Sequence, residues 1–194
     1  MLRLSRLIVP LIFAGTASAA STCPPGAHQV CLLACFCAPD RVGEMGPIYD
    51  DLNRLAASGL EQWLVQSRNA VAAGEVHVIP LNVRVQLEPY YDLQVLEAVR
   101  YRLGDETQLN AANLMLQNPD VQAVTLVDII VFRHQQDALD NVALWAHELK
   151  HVQQYQQWGV AEFARRYSRD YQSVEAPAYE MQGRLAKALR LATP

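Results

Sequence analysis

A long amphipathic segment near the C-terminus carries the feature that most constrains the fold of this 194-residue chain. Apolar residues recur at helical spacing from Asp137 to Trp158, and Gly159 ends the pattern. His147 and His151 are four residues apart, so they lie on one face of the predicted helix, one turn apart. Two imidazoles so placed can reach one metal ion at the roughly 2 Å that a zinc–nitrogen bond requires.

Glu148 follows the first histidine directly and completes the pattern His-Glu-x-x-His. Its side chain points away from the ligand axis, yet it stays close enough to act as a general base on a water at the ion. The pattern therefore predicts a zinc site with His147 and His151 as ligands and Glu148 as the catalytic base. The alternative is a pair of ordinary surface histidines beside an exposed glutamate.

Zinc with an open position for water needs a third protein ligand. The downstream acids that could supply it are Glu162, Asp170, Glu175 and Glu180. We expect Glu175, because it opens a new predicted helix that Ala176 and Ala178 would allow to pack close to the first one. Glu180 is the second candidate, but it should point elsewhere when Glu175 faces the metal. The alternative role for Glu175 is that of an acid favoured by the dipole at a helix N-terminus.

Other residues could support such a site, although each has a simpler structural interpretation. A tyrosine hydroxyl could stabilise an oxyanion, and the candidates are Tyr155, Tyr171 and Tyr179. A carboxylate could orient a ligand histidine, and the candidates are Asp128 and Asp140. Packing is the commoner role of a half-buried tyrosine. We interpret His28 and His134 as surface residues, because they lack partners at ligand spacing.

The remaining periodicity predicts helices on both sides of a group of strands. A helix is expected from Ile48 to Ala73 with Gly74 as its stop, and residues 80–89 fit either a short helix or a strand. Val95 to Leu103 is expected to be extended, whereas Thr107 to Gln117 has a helical composition.

Residues 121–132 form the most strand-like stretch, in which Val127-Asp128 marks either a hairpin turn or a bulge. Two more helices are expected at residues 161–167 and 174–189. We therefore predict an α+β fold, with a short β-sheet packed on the histidine-bearing helix and helices at the C-terminus. The segment Ala123–Phe132 is either an edge that could pair with an extended peptide or a buried central strand.

Residues 1–19 have the pattern of a cleaved signal peptide. Arg3 and Arg6 precede a short apolar run, and Ala17-Ser18-Ala19 fits a small-x-small cleavage site. The run is much shorter than the roughly 20 apolar residues that a membrane span needs, and no later stretch could span either. We therefore expect a periplasmic or secreted protein without stable membrane insertion after cleavage. A lipid anchor at Cys23 is a weaker alternative, because the residues before it make a poor lipidation site.

The four cysteines lie soon after the predicted cleavage site. In an exported protein they predict two disulfides. We favour bonds from Cys23 and Cys31 to Cys35 and Cys37, since a bond between the last two would be strained. The alternatives are a thiolate metal site and a cysteine that caps the zinc in a latent form.

The chain thus divides into the signal segment, a cysteine-rich arm at residues 20–46 and one domain at residues 47–194. Without Arg3 and Arg6 it has 14 basic residues (16 minus two) against 20 acidic ones, a net charge of −6. A mildly acidic surface does not favour phosphate backbones, so no nucleic-acid partner is expected. The sequence leaves the oligomeric state open.

The motif and its downstream glutamate resemble the pattern of the gluzincin metallopeptidases. The residues that carry the resemblance are His147-Glu148-x-x-His151 and Glu175-x-x-Ala178. In gluzincins an acid often follows that alanine, whereas this chain has Tyr179 there. A second departure is Lys150, since most zincins keep that position uncharged.

A closer resemblance is to the metallopeptidase-like core domain found near bacterial contractile injection systems. It covers roughly residues 78–182, and its most specific part runs from Ala123 to Gln154. The segments that carry it are Val99-Arg100-Tyr101, Ala123–Phe132 and Trp145–Tyr155. The resemblance implies a small zincin-like fold and a peptidase with a peptide or protein substrate.

We therefore predict an exported zinc metallopeptidase that hydrolyses peptide bonds with a zinc-activated water and Glu148 as general base. One alternative is a catalytically weak or inactive module of the same fold that has a binding or structural role in the cell envelope. Another is a secreted effector, which the injection-system resemblance suggests.

Overall fold

The computed structural model describes residues 27–31, 35–39, 46–104 and 122–192. Its helices are α1 (Gly46–Ala72), α2 (Leu81–Leu87), α3 (Leu93–Ala98), α4 (Gln135–Asp140), α5 (Val142–Arg169) and α6 (Tyr171–Ala192). Its strands are β1 (Ala27–Cys31), β2 (Cys35–Pro39), β3 (Arg100–Leu103), β4 (Ala123–Leu126) and β5 (Ile129–Phe132). The predicted α+β class is confirmed, with helices as the larger part.

The sheet that positions the site has three strands in the order β3-β5-β4. Strand β5 lies in the centre, parallel to β3 and antiparallel to β4. Of the two alternatives predicted for Val127-Asp128, the hairpin turn is the one present, since these two residues join the antiparallel strands β4 and β5. Val127 has a φ of 62°, the left-handed conformation that matches the twist of tight hairpins. The side chain of Asp128 accepts two hydrogen bonds from Arg68 of α1, at 2.8 and 2.7 Å, which ties the turn to that helix.

Helix α5 packs against α1, α6 and β4, and this placement comes from its apolar faces. Trp145 and Leu149 are fully buried, and the Trp145 ring lies 4.8 Å from that of Phe132 on β5. Burying one such side chain stabilises the fold by roughly 1.5–3 kcal/mol. The helix is therefore fixed on the sheet by the residues that flank the two histidines.

Gly159 interrupts α5 as the sequence predicts, with φ 76° and ψ 164°. Side chains with a Cβ rarely adopt this conformation, so the position favours glycine. The chain resumes a helical path directly afterwards, and Phe163 and Tyr167 from this second half pack beside Tyr155 from the first. The break therefore redirects the helix so that it contributes two aromatic residues to the surroundings of the site.

Several local predictions are settled by the described residues. The helix expected at residues 48–73 is present as α1, and the ambiguous residues 80–89 form the helix α2. The extended prediction for Val95 to Leu103 is wrong in its first half, because α3 runs to Ala98 before β3 begins. The buried residues Val95, Leu96 and Val99 have helical rather than alternating spacing, which explains the error.

The other predictions fall partly outside the described residues. The helix expected at residues 107–117, the signal segment and Cys23 all lie outside them. Strands β1 and β2 pair antiparallel with Cys31 opposite Cys35, but the side chains of this hairpin, including His28, are outside the described part. Within the described ranges, no helix combines the length and apolarity needed to cross a membrane.

Candidate metal centre

The two histidines of the motif lie on buried turns of α5, where the helix faces both β4 and α6. His147, Glu148 and His151 are 8, 4 and 6% exposed. The helix begins at the cap Asn141, whose side-chain oxygen accepts a hydrogen bond from the backbone N–H of Leu144 at 3.1 Å. The interpretation as exposed surface histidines is therefore wrong for this fold.

Helix α6 brings Glu175 to the two imidazoles. Its Oε2 lies 3.3 Å from Nε2 of His147 and 3.5 Å from Nε2 of His151, and the two Nε2 atoms are 3.1 Å apart. Val174 and Ala178 of α6 are buried beside it, which is consistent with the close packing expected from small residues. We call these three atoms the ligand triangle. Among the described residues it is the group of three metal-ligating side chains that meets in one place.

The dimensions of the ligand triangle fit a tetrahedral metal ion. Bonds of about 2.0–2.1 Å at tetrahedral angles separate neighbouring ligand atoms by about 3.3 Å. The observed edges of 3.1, 3.3 and 3.5 Å bracket that value. Two imidazoles and a carboxylate are also a donor set that zinc accepts. The residues present therefore fit a divalent ion with one further position open.

Charge within the triangle agrees with this fit. Burial alone raises the pKa of Glu175, but hydrogen bonds and charge interactions with His147 and His151 outweigh it, and the net pKa is lowered. Burial lowers the pKa of His151, yet Glu175 and then Glu148 and Gln154 reverse the effect and raise it. The carboxylate is therefore ionised, and it favours a positive charge on the neighbouring ring of His151.

The side chain of Glu148 is held by strand β4 of the sheet, whereas the two histidines meet helix α6. The hydroxyl of Thr125 on β4 donates a hydrogen bond of 2.7 Å to Oε2 of Glu148. Thr125 is buried, and its backbone carbonyl accepts a long hydrogen bond of 3.5 Å from the hydroxyl of Tyr155. The carboxylate of Glu148 therefore has one oxygen fixed by β4 and lines the same cavity as the ligand triangle.

The two histidines differ in what supports their Nδ1 atoms. Nδ1 of His151 lies 2.8 Å from Oε1 of Gln154. Nδ1 of His147 is buried and has no hydrogen-bond partner among the residues that the structure describes. The ring of Tyr179, which replaces the acid of the gluzincin pattern, packs edge-on against His147 with 4.6 Å between ring centroids. Tyr179, where the chain departs from the gluzincin pattern, thus lies against the histidine whose Nδ1 lacks a partner among the described residues.

Several predicted supporting residues have other partners. Asp128 binds Arg68, and Asp140 accepts a hydrogen bond from Gln136, so neither orients a ligand histidine. Glu162 binds Arg165 and Arg166, which lower its pKa to about 2 although desolvation opposes them. His134 is exposed, as predicted. The acids Asp170 and Glu180 are also exposed, and Glu175 is the downstream acid that the structure brings to the two histidines. Lys150 reaches Gln153 and leaves the cavity free of its charge.

Three residues near the site were missed by the sequence analysis. They are Thr125 and Gln154, described above, and Tyr167, whose hydroxyl donates a 3.0 Å hydrogen bond to Oε1 of Glu175. Tyr171, which was considered for an oxyanion role, instead lies beside Tyr167 at 6.2 Å between ring centroids. Spacing could have indicated Gln154, since it is three residues after His151 and therefore on a neighbouring face of the same helix. Thr125 lies on β4 and Tyr167 lies on α5 beyond Gly159, so no local pattern around the motif identifies them.

The cavity above the ligand triangle is small. Its volume is about 50 Å³, and its walls come from β4, both halves of α5 and Glu175. This space accommodates an ion together with water.

Fold and site together define an α+β domain in which two buried histidines of α5 meet a partly buried glutamate of α6. Residues 78–159 match the family model of the eCIS core domain. The matched stretch begins before α2 and ends at Gly159, so it contains His147, Glu148 and His151 but not Glu175. It supports the resemblance to the core domain of contractile injection systems. No curated protein and no solved structure matches the chain.

Proposed function

We propose that the chain is an exported metallopeptidase in which His147, His151 and Glu175 hold zinc and Glu148 is the general base. The ligand triangle carries this proposal, because its three edges fit the separation of ligands around one tetrahedral ion. When bound there, zinc would lower the pKa of a water and polarise a carbonyl group.

The chain's own residues then account for the proton transfers. Glu148 accepts a proton from the attacking water as the new bond forms between water oxygen and carbonyl carbon. It then delivers that proton to the amide nitrogen as the carbon–nitrogen bond breaks. The hydroxyl of Thr125 holds Oε2 of Glu148, so the other carboxylate oxygen is available for this transfer. Water and peptide are the only reactants, and a carboxylic acid and an amine are the products.

The position of β4 supports a peptide as the substrate class. Among the described strands, β4 is at an edge of the sheet and β5 is central. The two roles considered for residues 123–132, an edge strand and a buried central strand, thus belong to β4 and β5 respectively. Ala123, Val124 and Thr125 of β4 line the cavity. An extended peptide that pairs with this edge would pass the ligand triangle.

The burial of the proposed ligands supports a second candidate, a zinc-stabilised module with a binding or structural role in the cell envelope. His147 and His151 are 8 and 6% exposed, and the side chain of Glu175 is 15% exposed. A buried ion would still stabilise the fold, because ions that bind only the folded state contribute their binding energy to folding. A role as a secreted effector stays a prediction.

The two candidates are distinguished by Glu148→Gln, with Glu180→Gln as a control at an exposed acid. We expect both variants to hold one zinc per chain by metal analysis. Cleavage of a quenched-fluorescence peptide library should fall by about 100- to 10,000-fold in Glu148→Gln alone, since this is the range for losing a general base. A zinc-loaded wild-type protein without cleavage would favour the structural role, and a wild-type protein without zinc would overturn both.

A further inference from the structure

Gln154 is a buried side chain that contacts two parts of the site at once. It is 2% exposed and lies three residues after His151 on α5. Its Oε1 is 2.8 Å from Nδ1 of His151, and its Nε2 donates a hydrogen bond of 2.8 Å to the backbone carbonyl of Val174. Val174 directly precedes Glu175, so one amide bridges the second and third ligands.

The orientation of this amide follows from what its partners can do. A backbone carbonyl can only accept, so the NH₂ group of Gln154 must face Val174. The oxygen of the amide then faces His151 and can only accept. A hydrogen bond with that oxygen requires a proton on Nδ1 of His151. The neutral ring therefore has its free lone pair on Nε2, the atom that belongs to the ligand triangle.

A carboxylate would not serve in the same way. Glutamate at position 154 could still accept from Nδ1 of His151, but an ionised oxygen would face the carbonyl of Val174 and repel it. The amide satisfies both neighbours without adding a negative charge beside Glu148 and Glu175. Gln154 therefore links Nδ1 of His151 to the backbone of α6 at Val174, whereas Nε2 of the same ring faces Glu175.

We infer that Gln154 is a positioning residue that fixes the tautomer of His151 and places Glu175 by anchoring the first turn of α6. The inference rests on the proposed metal site for its effect on zinc, but its effect on the tautomer concerns the metal-free protein. Neighbouring Gln153 provides a matched control, since it is a partly buried glutamine that binds Lys150 and not the site.

The test uses the wild-type protein, Gln154→Leu, Gln154→Glu and Gln153→Leu. Proton–nitrogen spectra of the imidazoles are recorded on metal-free protein above the pKa of His151, with His151→Ala to assign the signal. We expect an Nδ1–H tautomer in the wild type, in Gln153→Leu and in Gln154→Glu, and its loss in Gln154→Leu. An Nε2–H tautomer in the wild type would overturn the inference without any variant, so a failure of Gln154→Leu to fold does not remove the test.

Zinc affinity, measured by competition with a chelating dye, gives the second readout. We expect Gln154→Leu to bind zinc about 10- to 100-fold more weakly than Gln153→Leu, the usual range for losing a partner of a ligand histidine. Equal affinity in the two variants would overturn the anchoring role. If the wild type binds no zinc, the metal site fails while the tautomer experiment still decides the role of Gln154.

Discussion

Two successive turns of helix α5 carry the two histidines, and they are supported in different ways. The turn of His151 is linked through Gln154 to α6. Both ring nitrogens of His151 lie near a polar partner, Nδ1 near Gln154 and Nε2 near Glu175. The turn of His147 also carries Glu148 and faces β4 through Thr125, and Nδ1 of its ring has no hydrogen-bond partner within the described residues.

This difference suggests a division between holding an ion and performing chemistry. A ligand whose tautomer is fixed before the ion arrives loses less entropy and needs less rearrangement on binding. The less constrained turn holds the proposed base, whose environment is set by an edge strand rather than by α6. Experiments that affect one turn but not the other can test whether this division is real.

The largest expected effect comes from removing the carboxylate that both turns share. Glu175→Gln should weaken zinc binding by about 1,000-fold, or about 4 kcal/mol, if a total of about 10–16 kcal/mol is distributed over the ligands. Glu180→Gln, an exposed acid of the same helix, should leave the affinity unchanged. Equal affinities measured by chelator competition would mean that Glu175 is not a ligand.

Acid should weaken zinc binding through the His151 turn. A metal-bound ring must be neutral, and the pKa of His151 is raised in the metal-free protein, so protons compete from a higher pH than usual. Affinity should fall by about tenfold for each pH unit below that raised pKa. A calorimetric titration across this range checks the slope.

The same pKa shift has the opposite sign for the metal-free fold. A raised pKa contributes stability that is fully present below the unfolded value of about 6.5 and is lost as pH rises through the folded value. The zinc-induced rise in melting temperature should therefore grow between about pH 5 and about pH 8. A rise that is constant over this range would show that no ligand histidine titrates against the ion.

Thr125→Val should affect only the turn that holds the base. The loss of a hydrogen bond to a buried carboxylate is worth about 1.5–3 kcal/mol, so we expect peptide cleavage to fall by about 10- to 150-fold. Zinc content should not change, because the hydroxyl of Thr125 donates to Glu148 and not to an atom of the ligand triangle. Thr125→Ser retains the hydroxyl and should retain the rate, and a loss of zinc in Thr125→Val would contradict the proposed division.

The smallest effect is expected where the sequence departs from the gluzincin pattern. Tyr179→Asp would place a carboxylate on the α6 side of His147, whose Nδ1 has no partner in the described structure. We expect zinc affinity to increase by up to about tenfold, the lower end of what such partners contribute. Ala176→Asp adds the same charge at an exposed neighbouring position. An equal gain in both variants would assign the effect to charge alone.

Local periodicity was enough to predict the elements that position the site. The helix with both histidines and its interruption at Gly159 follow from spacing, and the hairpin at Val127-Asp128 is one of the two alternatives predicted there. The predicted start of that helix at Asp137 is wrong, because α4 ends at Asp140 and α5 begins separately at Val142. The choice of Glu175 over Glu180 also followed, because five residues along a helix change the direction in which a side chain points. The structure brings together the same three side chains.

Long-range partners could not be read from these patterns. The hydroxyls of Thr125 and Tyr167 reach the site only after β4 and the second half of α5 have packed, and neither contact has a fixed spacing from the motif. The assignment of Asp128 failed for the same reason, since Arg68 is sixty positions away along the chain. Extended structure was predicted too early at Val95 because a short buried helix has the same apolar content as a strand.

The proposed third ligand, Glu175, lies beyond Gly159, the point at which the family match also stops. A ribosome or an export channel releases the histidine pair before it releases Glu175, so a nascent chain passes through a stage with two imidazoles and no carboxylate. Such a half-assembled site can hold a metal only loosely, whatever ion it meets first. If the proposed site binds a metal, firm capture would wait for α6, and the choice of ion would then depend on the compartment where that helix folds.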